Sequence, residues 1–156
     1  MNTFPPQSKL WIYQSSRPFN ENEIESLNNK LSVFSEEWSA HNQQLKAAGK
    51  VIEDRFILLM VDESRNNASG CSIDKSVQFL KNVEQDLNID LFNRMLVSFK
   101  SNDAIETVEI SNIRMLLEEG KITENTLFYN TLVQTKRELD ERFLIQLNNS
   151  WLKQFV

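Results

Sequence analysis

Six consecutive apolar residues, Phe56 to Val61, constrain this chain more than any other segment. Both parities of the run are apolar, so as a strand it must be covered on both faces. Arg55 before it and Asp62-Glu63 after it mark its ends, within a strand predicted from about Val51 to Asp62. Six residues fall far short of the roughly 20 that cross a bilayer. The chain then turns through Asn66 to Gly70 and brings its only cysteine, Cys71, to a helix starting near Ser72. Strand ends and helix N-termini gather backbone N–H groups and the positive end of the helix dipole, so the 62–74 junction is the first place to seek a site.

Around this run the pattern alternates. Lys9 to Ser15 reads as a strand with Leu10 and Ile12 on one face and Trp11 and Tyr13 on the other, which predicts an interior position. Asn20 caps the first helix, Glu23 completes a capping box, and Phe19 with Ile24 forms a staple. Ile24, Leu27, Leu31, Phe34 and Trp38 make its apolar stripe, predicted to lie on a sheet with one wet face; Gly49 closes the region after it. The second helix carries Ile73, Val77, Leu80 and Leu87, with Asp74 complementing its dipole. Arg94–Phe99 and Ala104–Glu109 read as strands joined at Ser101-Asn102-Asp103. Ser111 and Gly120 bracket a short helix, Thr126–Val133 is a further strand, and a helical tail ends in Ser150, Trp151, Leu152 and Phe155.

The order β-α-β-α-β-β-α-β plus a helical tail predicts an α+β fold, or a mixed α/β one, on a single sheet of about five strands. The two long helices would be right-handed crossovers if the strands they join are parallel. Residues 1–8, with Pro5-Pro6, read as a flexible tail and 9–156 as one globular domain.

A net charge of -5 with scattered basic residues argues against nucleic acid as a partner. One cysteine cannot build a disulfide framework and fits a reducing compartment, so the reading is a cytoplasmic protein. No charged-then-apolar N-terminal pattern suggests export, and no membrane association is expected.

Cys71 is the candidate nucleophile, since a helix N-terminus favours the thiolate. His41, the only histidine, is the candidate base and Asp62 its orienter. The competing reading makes Cys71 a small buried residue and His41 a surface one. Ser69, Gly70 and Ser72 could instead donate to an anionic ligand, with Arg55 or Arg65 as its charge partner. Asp62, Glu63 and Asp74 could hold a hard cation, but turn capping, solvation and dipole compensation are their ordinary roles, and no metal or other cofactor is expected.

The segments Trp11-Ile12-Tyr13-Gln14, Trp38-Ser39-Ala40-His41, Leu45-Lys46, Arg55-Phe56-Ile57, Val61-Asp62-Glu63-Ser64, Ser69-Gly70-Cys71-Ser72-Ile73-Asp74 and Ser150-Trp151, with Phe155, carry a resemblance. The chain resembles a small bacterial family, common in Bacteroidetes, whose members are often labelled "ABC transporter ATPase". The resemblance spans nearly the whole chain and implies no catalytic residue. A P-loop needs Gly-x-x-x-x-Gly-Lys-Ser/Thr to wrap and charge-balance phosphates. None of the three glycines fits: Gly49 precedes Lys50, but Val51 follows, and Gln44 stands where the first glycine belongs. P-loop ATP hydrolysis is rejected. The leading expectation is a small binding or interaction domain, its partner a small anionic ligand, another protein or a second copy of the chain. A thiol-dependent enzyme or redox sensor using Cys71, and a binder of anionic metabolites at the second helix, are the alternatives.

Overall fold

A computed structural model of the chain describes residues 1–41, 46–64 and 70–156, with the side chains of residues 39–41, 70 and 71 outside that description. Strand β1 (Lys9–Gln14) leads to helix α1 (Glu21–His41), strands β2 (Lys46–Ile52) and β3 (Phe56–Asp62), and helix α2 (Gly70–Leu87). Strands β4 (Leu96–Ser101) and β5 (Ala104–Glu109), helix α3 (Ile113–Glu118), strand β6 (Leu127–Tyr129), helix α4 (Lys136–Arg142) and strand β7 (Leu144–Gln146) follow. The chain is α+β, but the single five-stranded sheet is corrected to two antiparallel sheets, ordered β1-β3-β2 and β5-β4-β6-β7. No two described strands pair in parallel, but β1 and β2 each run antiparallel to β3 and so parallel to one another on either side of it. Helix α1 thus crosses between two parallel strands, whereas α2 leads from the first sheet to the second.

The predicted 51–62 strand is really a hairpin. Glu53 and Asp54 adopt left-handed φ of 53° and 55°, and the Arg55 N–H returns to the Ile52 carbonyl at 3.2 Å. Two left-handed central residues suit the right-handed twist of paired strands. Gly49 therefore lies inside β2 rather than closing a helix. Its missing side chain lets α1 approach, because a Cβ there would stand 2.9 Å from Leu59 Cδ2 and 3.2 Å from Leu31 Cδ2.

The apolar run is β3, the central strand, with Phe56 to Val61 each at most 1% exposed. Ile57 and Leu59 face Leu27 and Leu31 of α1 and Leu80 and Val83 of α2. Leu58 and Met60 face Leu10, Phe4 and Val133, with Leu139 and Phe143 packed alongside. The sheet is thus covered on both faces, not wet on one. β1 keeps the predicted alternation, Trp11 and Tyr13 to the helices and Leu10 and Ile12 away, yet it is an edge strand. Its start is screened by Leu10 N–H bonding to the Gln134 carbonyl at 3.0 Å. Within residues 1–8, Phe4 is buried, and the Ser8 and Pro6 carbonyls accept from Lys136 and Arg137 N–H, both at 2.9 Å.

The capping box forms as read: Glu23 N–H donates to Asn20 Oδ1 at 2.8 Å, and Asn20 N–H donates to Glu23 Oε1 at 3.1 Å. Arg17 grips both Glu23 oxygens, at 2.8 and 2.9 Å, and reaches the Leu87 carbonyl at 2.9 Å. That guanidinium ties the start of α1 to the last turn of α2, where free carbonyls attract a cation.

The second sheet packs Val97, Phe99 and Phe128 on Ile110, Ile113, Leu147 and Leu152. Ser111 falls in a 3-10 turn before α3 and caps nothing, whereas Gly120, at φ 72°, ends the helix as predicted. Only Leu127–Tyr129 of the 126–133 stretch is a strand, and the tail gains α4, capped by Thr135, and β7. Ser150 caps the final turn through Leu152 N–H at 3.2 Å, but Phe155 is exposed. Among the described residues no helix is long and apolar enough to cross a membrane.

Candidate functional site: a charged cleft between two hairpin turns

Side chains alternate along a strand, so β4 turns Val97 and Phe99 into its own core and Ser98 and Lys100 to the other face. Their cross-strand partners Thr107 and Ile105 share that second face, and Tyr129 opposes Phe128 in the same way on β6. This face meets the end of the first sheet. Phe56 packs on Tyr129 and Phe143, with ring centroids 5.1 and 5.3 Å apart, and Tyr129 on Phe143 at 5.1 Å.

A polar chain crosses the junction beside these rings. Arg55 Nη1 donates to Thr107 Oγ1, Thr107 and Ser98 hydroxyls lie 2.8 Å apart, and Ser98 donates to Gln14 Oε1 at 3.1 Å. Guanidinium only donates, and Ser98 spends its one hydroxyl proton on Gln14. Thr107 must therefore accept from Arg55 and donate to Ser98, which orients the whole relay.

Next to it opens a cleft of about 560 Å³, between the β2–β3 turn with Pro18 and the β4–β5 turn. Glu53, Asp54, Arg55, Lys100 and Asp103 line it, with Tyr129 at its wall. No two of these five charged groups, nor any with another described residue, form an ion pair within 4.0 Å. Arg55 is 8% exposed; its Nε is buried without a partner, and its one side-chain hydrogen bond is that from Nη1. Burial lowers its pKa, against the opposing pull of Asp54. Tyr129 is 3% exposed and its hydroxyl has no partner of hydrogen-bonding geometry. Burial first, then the nearby Glu53 carboxylate, pushes its pKa up to about 12.

The residues singled out from sequence are distributed otherwise. Arg55 stands at the start of β3, and the 62–74 junction follows its end; seven residues at about 3.3 Å each put about 23 Å between Arg55 and Asp62. Arg55 therefore does not join the N-terminus of α2. Ser69 and Arg65 lie outside the described residues, and of Gly70, Cys71 and His41 only the helical backbone is described. Ser72 is buried. Asp62 accepts from the Ser64 N–H at 2.9 Å and from the Ser64 hydroxyl, the turn-holding role. Glu63 pairs with Lys9 at 4.0 Å, and no cluster suited to a metal ion occurs among the described residues.

Sequence reasoning missed Glu53, Asp54, Lys100, Asp103 and Tyr129. The signal available was Glu53-Asp54-Arg55 itself, three charges in a row inside a supposed buried strand. Set beside protein-family models, curated proteins and solved structures, the chain matches none of them. Fold and cleft alone define its class: an α+β protein with an unpaired charge cluster where its two sheets meet.

Proposed function

We propose that the protein is a binding domain for a small charged ligand, held in the cleft between the two hairpin turns, with Arg55 as its anionic subsite. The observation that carries this reading is Arg55, a residue only 8% exposed, whose guanidinium is fixed on one side by Thr107 and forms no ion pair within 4.0 Å with a described carboxylate. Burying a charge without a counter-charge costs stability, so such a cation is retained at a cost unless something outside the chain pairs with it. The volume lies within the usual range for small-molecule sites. Binding rather than catalysis fits the cleft chemistry: an acid–base catalyst works best with a pKa near the working pH, and Tyr129 is displaced far from it.

Thermal denaturation against a panel of carboxylates and inorganic phosphate tests this reading. A ligand that binds only the folded state raises the melting temperature. The rise should vanish in Ala104→Trp, which fills the cleft from an exposed position and leaves every charged group in place. No rise with any member of the panel, or one unchanged in Ala104→Trp, defeats the proposal.

A further inference from the structure

We infer that the ligand of this cleft is a small zwitterion, carrying a carboxylate and an ammonium group, of the size of an amino acid or dipeptide. The inference rests on the cleft being the binding site and adds the identity of the charges it reads. Charges of both signs line one cavity with no ion pair within 4.0 Å among them: Arg55 and Lys100 beside Glu53, Asp54 and Asp103. A purely anionic ligand would satisfy the cations and face three carboxylates; a purely cationic one would leave Arg55 unpaired. Only a ligand with both groups offsets both sets, since opposite charges a few ångströms apart attract and like charges repel.

The details favour an organic zwitterion over a metal ion. The described acidic residues form no metal-binding cluster, whereas an ammonium group can be held by carboxylates spread around it. On Arg55, Nη1 is committed to Thr107 and Nε is shut away from solvent, which leaves Nη2 as the donor without a partner. A guanidinium N–H donating to a carboxylate oxygen is a charge-assisted bond, stronger than one between neutral groups. Thr107, itself held through Ser98, fixes the Nη1 side of the guanidinium.

Isothermal titration calorimetry with the standard amino acids and their glycine dipeptides, followed by the deamino and decarboxy analogues of the best binder, tests the inference. The intact zwitterion should bind at least tenfold more tightly than either analogue. The double variant Glu53→Gln, Asp54→Asn should lose that advantage while still binding the deamino acid. If a deamino acid binds as tightly as its parent, or the double variant keeps full discrimination, the zwitterion inference fails and the binding site stands. If neither zwitterions nor simple carboxylates and phosphate bind, both fail together.

Discussion

Ser98 donates a 3.1 Å hydrogen bond to Gln14, 84 residues earlier in the chain, in fully buried surroundings between the two sheets. Together with Thr107 and Arg55 it forms the polar seam along which the sheets meet, and its last member supplies the cation of the cleft. Stability and binding are therefore coupled through one relay.

Thr107→Val keeps shape but removes the acceptor of Arg55 and the donor to Ser98. A buried group stripped of its partner typically costs about 1–3 kcal/mol. Urea denaturation should show a loss of that size. The double variant with Ser98→Ala should lose less than the sum, because both changes break one chain of bonds.

Gly49→Ala tests the close approach of α1 to β2. The added methyl meets Leu59 and Leu31, which are fully buried and have no room to retreat. Overpacking of this kind costs about 1–3 kcal/mol. Gly120→Ala meets no atom and fails for another reason: its φ of 72° penalises a Cβ by about 1–2 kcal/mol. Equilibrium denaturation of both variants checks the pair.

Glu23 is held down to about 2 from an ordinary 4.5, chiefly by Arg17 and next by the Asn20 N–H. A depressed carboxyl contributes stability that is present above its unfolded pKa and fades as pH falls through the folded one. The urea midpoint should therefore drop between pH 4.5 and about 2, and Glu23→Gln should shallow that fall. An unchanged acid limb in the variant would contradict the assignment.

Tyr129 works in the opposite direction. Its phenol ionises at about 12 in the folded protein and at 10 when unfolded. Its contribution is complete below pH 10 and declines as pH rises toward 12. Ultraviolet titration of Tyr13→Phe, which leaves a single tyrosine, should show ionisation delayed relative to the same variant in urea. Tyr129→Phe removes a buried hydroxyl and should leave stability within about 1 kcal/mol of the parent.

Glu53 and Asp54 occupy turn positions that asparagine and glycine fill more comfortably. Glu53→Asn with Asp54→Gly should raise stability by about 1 kcal/mol and abolish zwitterion preference. Thermal melts with and without the best ligand would read both effects at once.

The local grammar of this chain was legible from residues near one another in sequence. Asn20 and Glu23 announce the capping box, Gly120 the end of α3, Ser150 the final cap, and the alternation in β1 its two buried faces. These signals depend on hydrogen bonds and side-chain periodicity within a few residues, which sequence spacing encodes directly. The all-apolar stretch from Phe56 to Val61 likewise determined a strand covered on both sides.

Tertiary structure decided the rest. Whether 51–62 is one strand or part of a hairpin turned on Glu53 and Asp54, because no glycine marks the turn and glutamate rarely adopts a left-handed conformation. The division into two sheets depended on pairings such as Phe99 with Phe128, and on rings such as Phe56 and Tyr129 meeting across the seam. The cleft has the same origin. Its charges come from the turn at 53–55 and from Lys100 and Asp103 at the β4–β5 hairpin, distant in sequence, and only the packing of one sheet's end against the other's face places them around one cavity.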